Sequence, residues 1–126
     1  PSMKPLRMLY VEDNPELREM LQEMLEGDQR EVISCASAEE ALDLWKASYF
    51  DVLVSDIGLP GISGTELARR VLAEHPERWV VLCSGYEYGD ALQAMGPRVR
   101  ALPKPFELDD LERLMQEIHL SLGGTV

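Results

Sequence analysis

Five short apolar runs alternate with five longer amphipathic stretches along this chain, and that alternation restricts the fold more than any other feature. The runs are Leu6–Val11, Val32–Ala36, Val52–Ser55, Val80–Cys83 and Val99–Leu102. They are rich in Val, Ile and Leu, and three of them lack strict apolar–polar alternation. Strands read this way when both faces are covered, as in a parallel sheet held between two layers of helices. The amphipathic stretches supply the right-handed crossovers that parallel strands require. At 126 residues the chain has the length of one such domain around one core.

Helix signals fall where the crossovers are needed. Asn14 can cap a helix that opens on Pro15 and carries Leu17, Met20, Leu21, Met24 and Leu25 at helical spacing, with Gly27 just past its end. Ser37 with Glu40 reads as a capping box ahead of Ala41, Leu42 and Trp45, and Trp45 is assigned to the core. Ser63 with Glu66 repeats the device before Leu67, Val71 and Leu72, and Pro76 stops that helix. The final helix places Leu108, Leu111, Leu114, Met115 and Ile118 on one stripe. The stretch Glu87–Met95 is the weak member: Gly89 lies inside it and Gly96-Pro97 follows, so a short or irregular helix is expected. Trp79 is placed just ahead of the fourth strand, half exposed. Residues 4–122 form the domain, and the tail 123–126 is expected to fray.

The charge balance excludes one class of partner. A formal net charge of −11 opposes nucleic-acid binding, which draws its affinity from Lys and Arg on phosphates. No apolar run approaches the roughly 18 residues that suggest a membrane span, and the N-terminus lacks the apolar stretch of a signal peptide. A cytoplasmic location without membrane insertion is therefore expected. The two cysteines, Cys35 and Cys83, sit inside apolar runs and read as buried thiols rather than a disulfide framework. His75 and His119 lie on separate helices without ligand spacing and read as structural or solvated.

In sheets of this kind ligands sit outside the carboxyl ends of the strands. Glu12-Asp13 follow the first run, Asp56 the third, Ser84 the fourth and Pro103-Lys104-Pro105 the fifth. Singly, each has an ordinary reading: Asp56 as a turn residue, Glu12-Asp13 as helix-start acids, Ser84 as a turn signal, Lys104 as a surface lysine. Together they put three carboxylates, one hydroxyl and one ammonium at a single edge. Crowded carboxylates repel unless a cation intervenes, and oxygen ligands without His or thiolate suit a hard ion such as Mg²⁺. Phosphoryl transfer asks for positioning and charge stabilisation, and the parts match it. Asp56 serves as nucleophile, the cation and Lys104 hold the phosphoryl oxygens, and Ser84 donates a hydrogen bond.

The ordered set of marks resembles the receiver domain of response regulators, the phosphoacceptor half of bacterial two-component signalling. The marks are Val11-Glu12-Asp13-Asn14, Ser55-Asp56-Ile57-Gly58-Leu59-Pro60-Gly61, Ser84-Gly85 and Lys104-Pro105-Phe106, and the similarity runs from about Leu6 to Leu122. The resemblance implies an α/β, flavodoxin-like, doubly wound parallel sheet of five strands in the order 2-1-3-4-5, flanked by five helices. It implies that Asp56 is phosphorylated from a phosphohistidine donor, and that Asp13, Asp56 and the backbone carbonyl of Gly58 bind Mg²⁺ with Glu12 acting nearby through water. It implies that Lys104 pairs with the phosphoryl group, that Ser84 bonds it, and that the Lys104–Pro105 peptide is cis. The implied partners are a sensor histidine kinase or a histidine phosphotransfer domain, with an effector domain outside this chain. The run from Asp56 to Gly64 and the stretch Leu82-Cys83-Ser84-Gly85-Tyr86 resemble receivers attached to hybrid histidine kinases. In the implied strand order Cys35 and Cys83 lie three strands apart, roughly 14 Å, beyond the roughly 7 Å reach of a disulfide.

Three departures from the family pattern stand out. Ala101 occupies the position where an aromatic residue usually swings inward; Tyr86 and Tyr88 read as exposed loop tyrosines, with substitution for that aromatic as the alternative. The segment from Gly85 to Leu102 is short and interrupted by glycine. Gly58 places no side chain over an acyl phosphate. Other functions fit less well. A dehalogenase-type phosphohydrolase needs an Asp where Gly58 stands, no phosphate-cradling G-x-x-x-x-G-K-[ST] loop is present, and Glu12-Asp13 would repel the phosphate of FMN. A binding module of the same fold that works without phosphorylation is the remaining alternative, and the chain is read as a signalling domain rather than an independent enzyme.

Overall fold

In the computed structural model, which describes residues 5–27, 29–84, 92, 94–104 and 107–122, all five apolar runs form strands. These are β1 (Leu6–Val11), β2 (Arg30–Cys35), β3 (Val52–Asp56), β4 (Trp79–Ser84) and β5 (Val99–Pro103). They make one parallel sheet in the order β2-β1-β3-β4-β5, as expected. Strand β2 starts two residues before its apolar run, because main-chain pairing of Leu6 with Arg30 and Arg7 with Glu31 continues the ladder regardless of side chain.

Side-chain alternation sorts the core into two layers. Leu9, Val11, Leu53, Val80, Leu82 and Val99 face α2 (Ala38–Ala47) and α3 (Gly64–Glu74), meeting Ala41, Trp45, Leu67 and Val71. Tyr10, Val52, Val54, Val81, Cys83 and Leu102 face α1 (Pro15–Leu25) and α4 (Leu108–Ser121), meeting Leu21, Leu25, Leu111, Met115 and Ile118. Most of each predicted helix stripe is inside, but Met20 is 53% exposed and Leu108 52% exposed, at the solvent margin of the two stripes.

The caps work as their sequences suggest. The Asn14 side chain accepts from the N–H groups of Glu16 and Leu17, Ser37 Oγ from Glu40 N and Ser63 Oγ from Glu66 N. The capping boxes are incomplete. Glu40 reaches back to Ala36 N–H rather than to Ser37, and the Glu66 carboxylate goes instead to Arg69 and Arg70. Gly27 follows α1 without a left-handed turn and forms an isolated bridge with Arg30.

Two expectations are corrected. Four helices, not five, flank the sheet among the described residues: of the stretch Glu87–Met95 only Leu92, Ala94 and Met95 are described, and Leu92 is buried in the α2/α3 layer. Trp79 is the first residue of β4 and only 4% exposed, not half exposed. Its parity with Val81 turns it under the end of α4, where its indole N–H donates to Ser121 Oγ at 2.7 Å and Arg100 lies 4.8 Å over its ring. Trp45 is buried as expected, and Cys35 and Cys83 are buried free thiols. Burial pushes their pKa up to about 11 and about 12 respectively.

Candidate functional site

Strand order locates the site before any side chain is considered. The chain winds from β1 outward to β2, then returns across β1 to β3, β4 and β5, so the crossovers on either side of β1 and β3 diverge and leave a crevice at their carboxyl ends. Glu12 and Asp13 follow β1 there, and Asp56 closes β3 beside them, with Val11 paired to Ser55. Ser84 closes β4 and Lys104 follows β5, and the Lys104 N–H donates to the Ser84 carbonyl at 2.7 Å.

The carboxylates converge. Oxygen atoms of Glu12, Asp13 and Asp56 lie within 4.8 Å of one another. The Lys104 ammonium donates to Asp56 Oδ1 at 3.0 Å and to Glu12 Oε1 at 3.2 Å. Glu12 is 2% exposed, whereas Asp13 is open to solvent and Asp56 is half-buried. Burial pushes the Glu12 carboxyl up, with Asp13 and Asp56 adding to it against the Asn14 N–H and Lys104. Burial works against the Lys104 ammonium too, but Asp56 and Glu12 together outweigh it and leave the lysine above its ordinary value. One ammonium against three carboxylates leaves a net negative cluster, and its donors are all oxygen. That set fits a hard divalent cation and no soft one.

Gly58 borders the cluster: a Cβ built there would lie 4.0 Å from Asp56 Oδ2. The turn that carries it is tight, with Leu59 N and Gly64 N both donating to the Ile57 carbonyl. Gly64 must be glycine for a steric reason, since a Cβ there would fall 2.0 Å from the Asp56 carbonyl oxygen. Ser84 is buried at the end of β4, and Ala101 is exposed on β5 opposite Leu82. Tyr86, Tyr88 and Pro105, and with Pro105 the expected cis peptide, lie outside the described residues.

Residues not singled out in the sequence complete the surroundings. The Arg18 guanidinium donates to the Glu12 carbonyl at 2.9 Å, and the Asn14 N–H donates to Glu12 Oε2 at 3.2 Å. Arg18 stands one turn beyond the Asn14 cap, and the helix start returns its side chain over the loop; that spacing was the available signal. Tyr10, beneath Glu12 in β1, carried no signal beyond its place in an apolar run.

The doubly wound parallel sheet thus carries an acidic, lysine-bridged cluster at its switch point. A family model described as the response regulator receiver domain matches residues 8–116, and the chain belongs to that family. It is 33% identical over 125 residues to protein-glutamate methylesterase/protein-glutamine glutaminase 3 of Hahella chejuensis, covering 90% of this chain and 36% of that protein. It is 44% identical over 68 residues to the virulence sensor protein BvgS of Bordetella pertussis, covering 54% of this chain and 6% of that one. The chain thus spans only a minor part of the curated relatives it matches. Among solved structures, the response regulator protein TrrA of Thermotoga maritima, in complex with Mg(2+)-BeF, superposes with a TM-score of 0.80 at 30% identity, covering 92% of this chain and 99% of that one. The chemotaxis response regulator CheY4 of Vibrio cholerae, at 23% identity and TM-score 0.80 over 91% of this chain and 99% of that one, shares the fold. No helix among the described residues is long and apolar enough to cross a membrane.

Proposed function

We propose that this receiver domain accepts a phosphoryl group on Asp56 from a phosphohistidine donor, with Mg²⁺ bound by Asp13, Asp56 and the Gly58 carbonyl and steadied by Glu12. One observation carries the reading: Lys104 bonds Asp56 and the buried Glu12 at once, inside a cluster of three carboxylate oxygens within 4.8 Å. Lys104 engages Asp56 Oδ1, so Oδ2 is the attacking oxygen. It forms the new O–P bond as the P–N bond of the donor breaks, and the imidazole nitrogen leaves with the electron pair. Lys104 then follows the phosphoryl oxygens, and Ser84 donates to them from the end of β4. A bound divalent cation supplies charge neutralisation for the carboxylates and the phosphoryl oxygens. The TrrA structure with Mg(2+)-BeF supports carrying this chemistry to the present chain.

The domain, taken as residues 4–122, works as a cytoplasmic signalling module and not as an independent enzyme. The donor is a sensor histidine kinase or a histidine phosphotransfer domain, and an effector lies outside this chain. The 44% identity to a segment of BvgS, a protein named as a virulence sensor, supports attachment to a sensor, and a hybrid histidine kinase is the setting we propose. Acetyl phosphate with Mg²⁺ should add one phosphoryl mass to the intact protein. Modification persisting at the wild-type level in Asp56→Asn would disprove the assignment.

A further inference from the structure

Tyr10 is 1% exposed, and its phenolic oxygen is a buried polar atom with no hydrogen-bond partner among the described residues. A phenol in that condition costs free energy that phenylalanine in the same place would not. Register places it under the site. Side chains two apart in a strand share a face, so Tyr10 stands beside Glu12. Its partner in β3 is Val54, two residues before Asp56, and Asp56 in turn pairs with Cys83. Tyr10 and Cys83 lie in the same core layer, between the sheet and α1/α4. Burial first, then the charges of Cys83, Glu12 and Asp56, raise the phenol far above its ordinary pKa, so it keeps its proton at neutral pH.

Glu12 is the neighbouring acceptor whose donors are set to change. Its Oε2 takes the Asn14 N–H and its Oε1 takes the Lys104 ammonium, at a position 2% exposed. When Lys104 turns toward a phosphoryl group on Asp56, Oε1 is left buried without its donor. We propose that the Tyr10 hydroxyl then donates to Glu12, making Tyr10 a positioning residue that couples an occupied site to the α1/α4 layer. The inference rests on Asp56 being the phosphoacceptor. It gives the domain a coupling through the α1/α4 face of the sheet, opposite to the face that Ala101 shares with Leu82.

The test uses beryllofluoride with Mg²⁺ as phosphoryl mimic on the full chain, wild type, Tyr10→Phe and Asp56→Asn, with tyrosine labelled at Cζ. The Tyr10 Cζ resonance, identified by its loss in Tyr10→Phe, should move on saturation. Tyr10→Phe should bind beryllofluoride about tenfold more weakly, the worth of one hydrogen bond to a charged group. Its Tm without ligand should be unchanged or higher, because the hydroxyl has no bond to lose in the resting state. Unchanged affinity, an unmoved Cζ resonance, or a resting Tm several degrees lower overturns the proposal. Wild-type protein that takes up no beryllofluoride ends the phosphoacceptor reading and this inference with it. Normal uptake that is indifferent to Tyr10→Phe removes the role of Tyr10 alone.

Discussion

Replacing Lys104 by Met removes the ammonium that Glu12 and Asp56 share while keeping the aliphatic bulk of the side chain. In the wild type that ammonium stands 3.0 Å from Asp56 and 3.2 Å from Glu12, and the side chains of Lys104, Asp56 and Glu12 are 24%, 17% and 3% exposed. Losing one partner of a fully buried pair costs about 3–5 kcal/mol, and an exposed pair contributes less than about 1 kcal/mol. This cluster opens to solvent on the Asp13 side, so a loss of about 2 kcal/mol is expected at pH 7 in metal-free buffer. The pH dependence has a definite sign. The folded-state pKa of Glu12 is raised, so its favourable contribution is full below the unfolded carboxyl value and is lost as pH rises through the folded one. Without Lys104 that pKa rises further, and the deficit of the variant should shrink as pH falls from 7 to 5. Lys104 itself is raised above the ordinary lysine value, so its contribution in the wild type is constant across that window and disappears only in strong alkali. Urea unfolding at both pH values, with unchanged m, measures the difference. Added Mg²⁺ should stabilise the variant more than the wild type, because the ion takes over the neutralisation. A variant as stable as the wild type at pH 7, or a deficit equal at pH 5 and pH 7, refutes the electrostatic account of the site.

Gly64→Ala, which helix propensity alone would favour, should cost about 3 kcal/mol or more and abolish Mg²⁺-dependent phosphorylation, because the new methyl group meets the Asp56 carbonyl at 2.0 Å; thermal unfolding and intact mass report the two effects. Cys35 and Cys83 should resist a thiol-disulfide reagent in the native protein at pH 8 and react fully in denaturant, since burial holds both well above the working pH. The Arg30–Glu112 pair joins β2 to α4 at 2.8 and 3.0 Å and holds Glu112 below the ordinary carboxylate value through the Arg30 hydrogen bonds. Its contribution is present above the unfolded carboxyl pKa and lost as pH falls through the folded one, so Arg30→Met should lose less than about 1 kcal/mol at pH 7 and nothing at strongly acid pH. Ser37→Ala should cost about 1 kcal/mol in urea unfolding through loss of the bond to Glu40 N–H.

The layers and the residues expected at the site followed from residues whose meaning is local, and the strand order from the family resemblance that those residues carry. Apolar runs without alternation require cover on both faces, cap residues mark where helices begin, and the strand-end rule then collects Glu12, Asp13, Asp56, Ser84 and Lys104 without any coordinates. Trp79, Arg18, Gly64 and Tyr10 were illegible for a common reason: each acquires its meaning from an atom distant in the chain or across a turn. Trp79 is buried because Ser121, 42 residues away, ends α4 above it. Gly64 is constrained by a carbonyl oxygen brought back upon it by the turn after β3. The sharing of Lys104 between Glu12 and Asp56, 92 and 48 residues distant, is likewise a product of strand packing alone. Side-chain type and spacing determine which groups reach the sheet edge; only the packed sheet decides which of them touch, because those distances are set by register and by the crossing of the chain over itself.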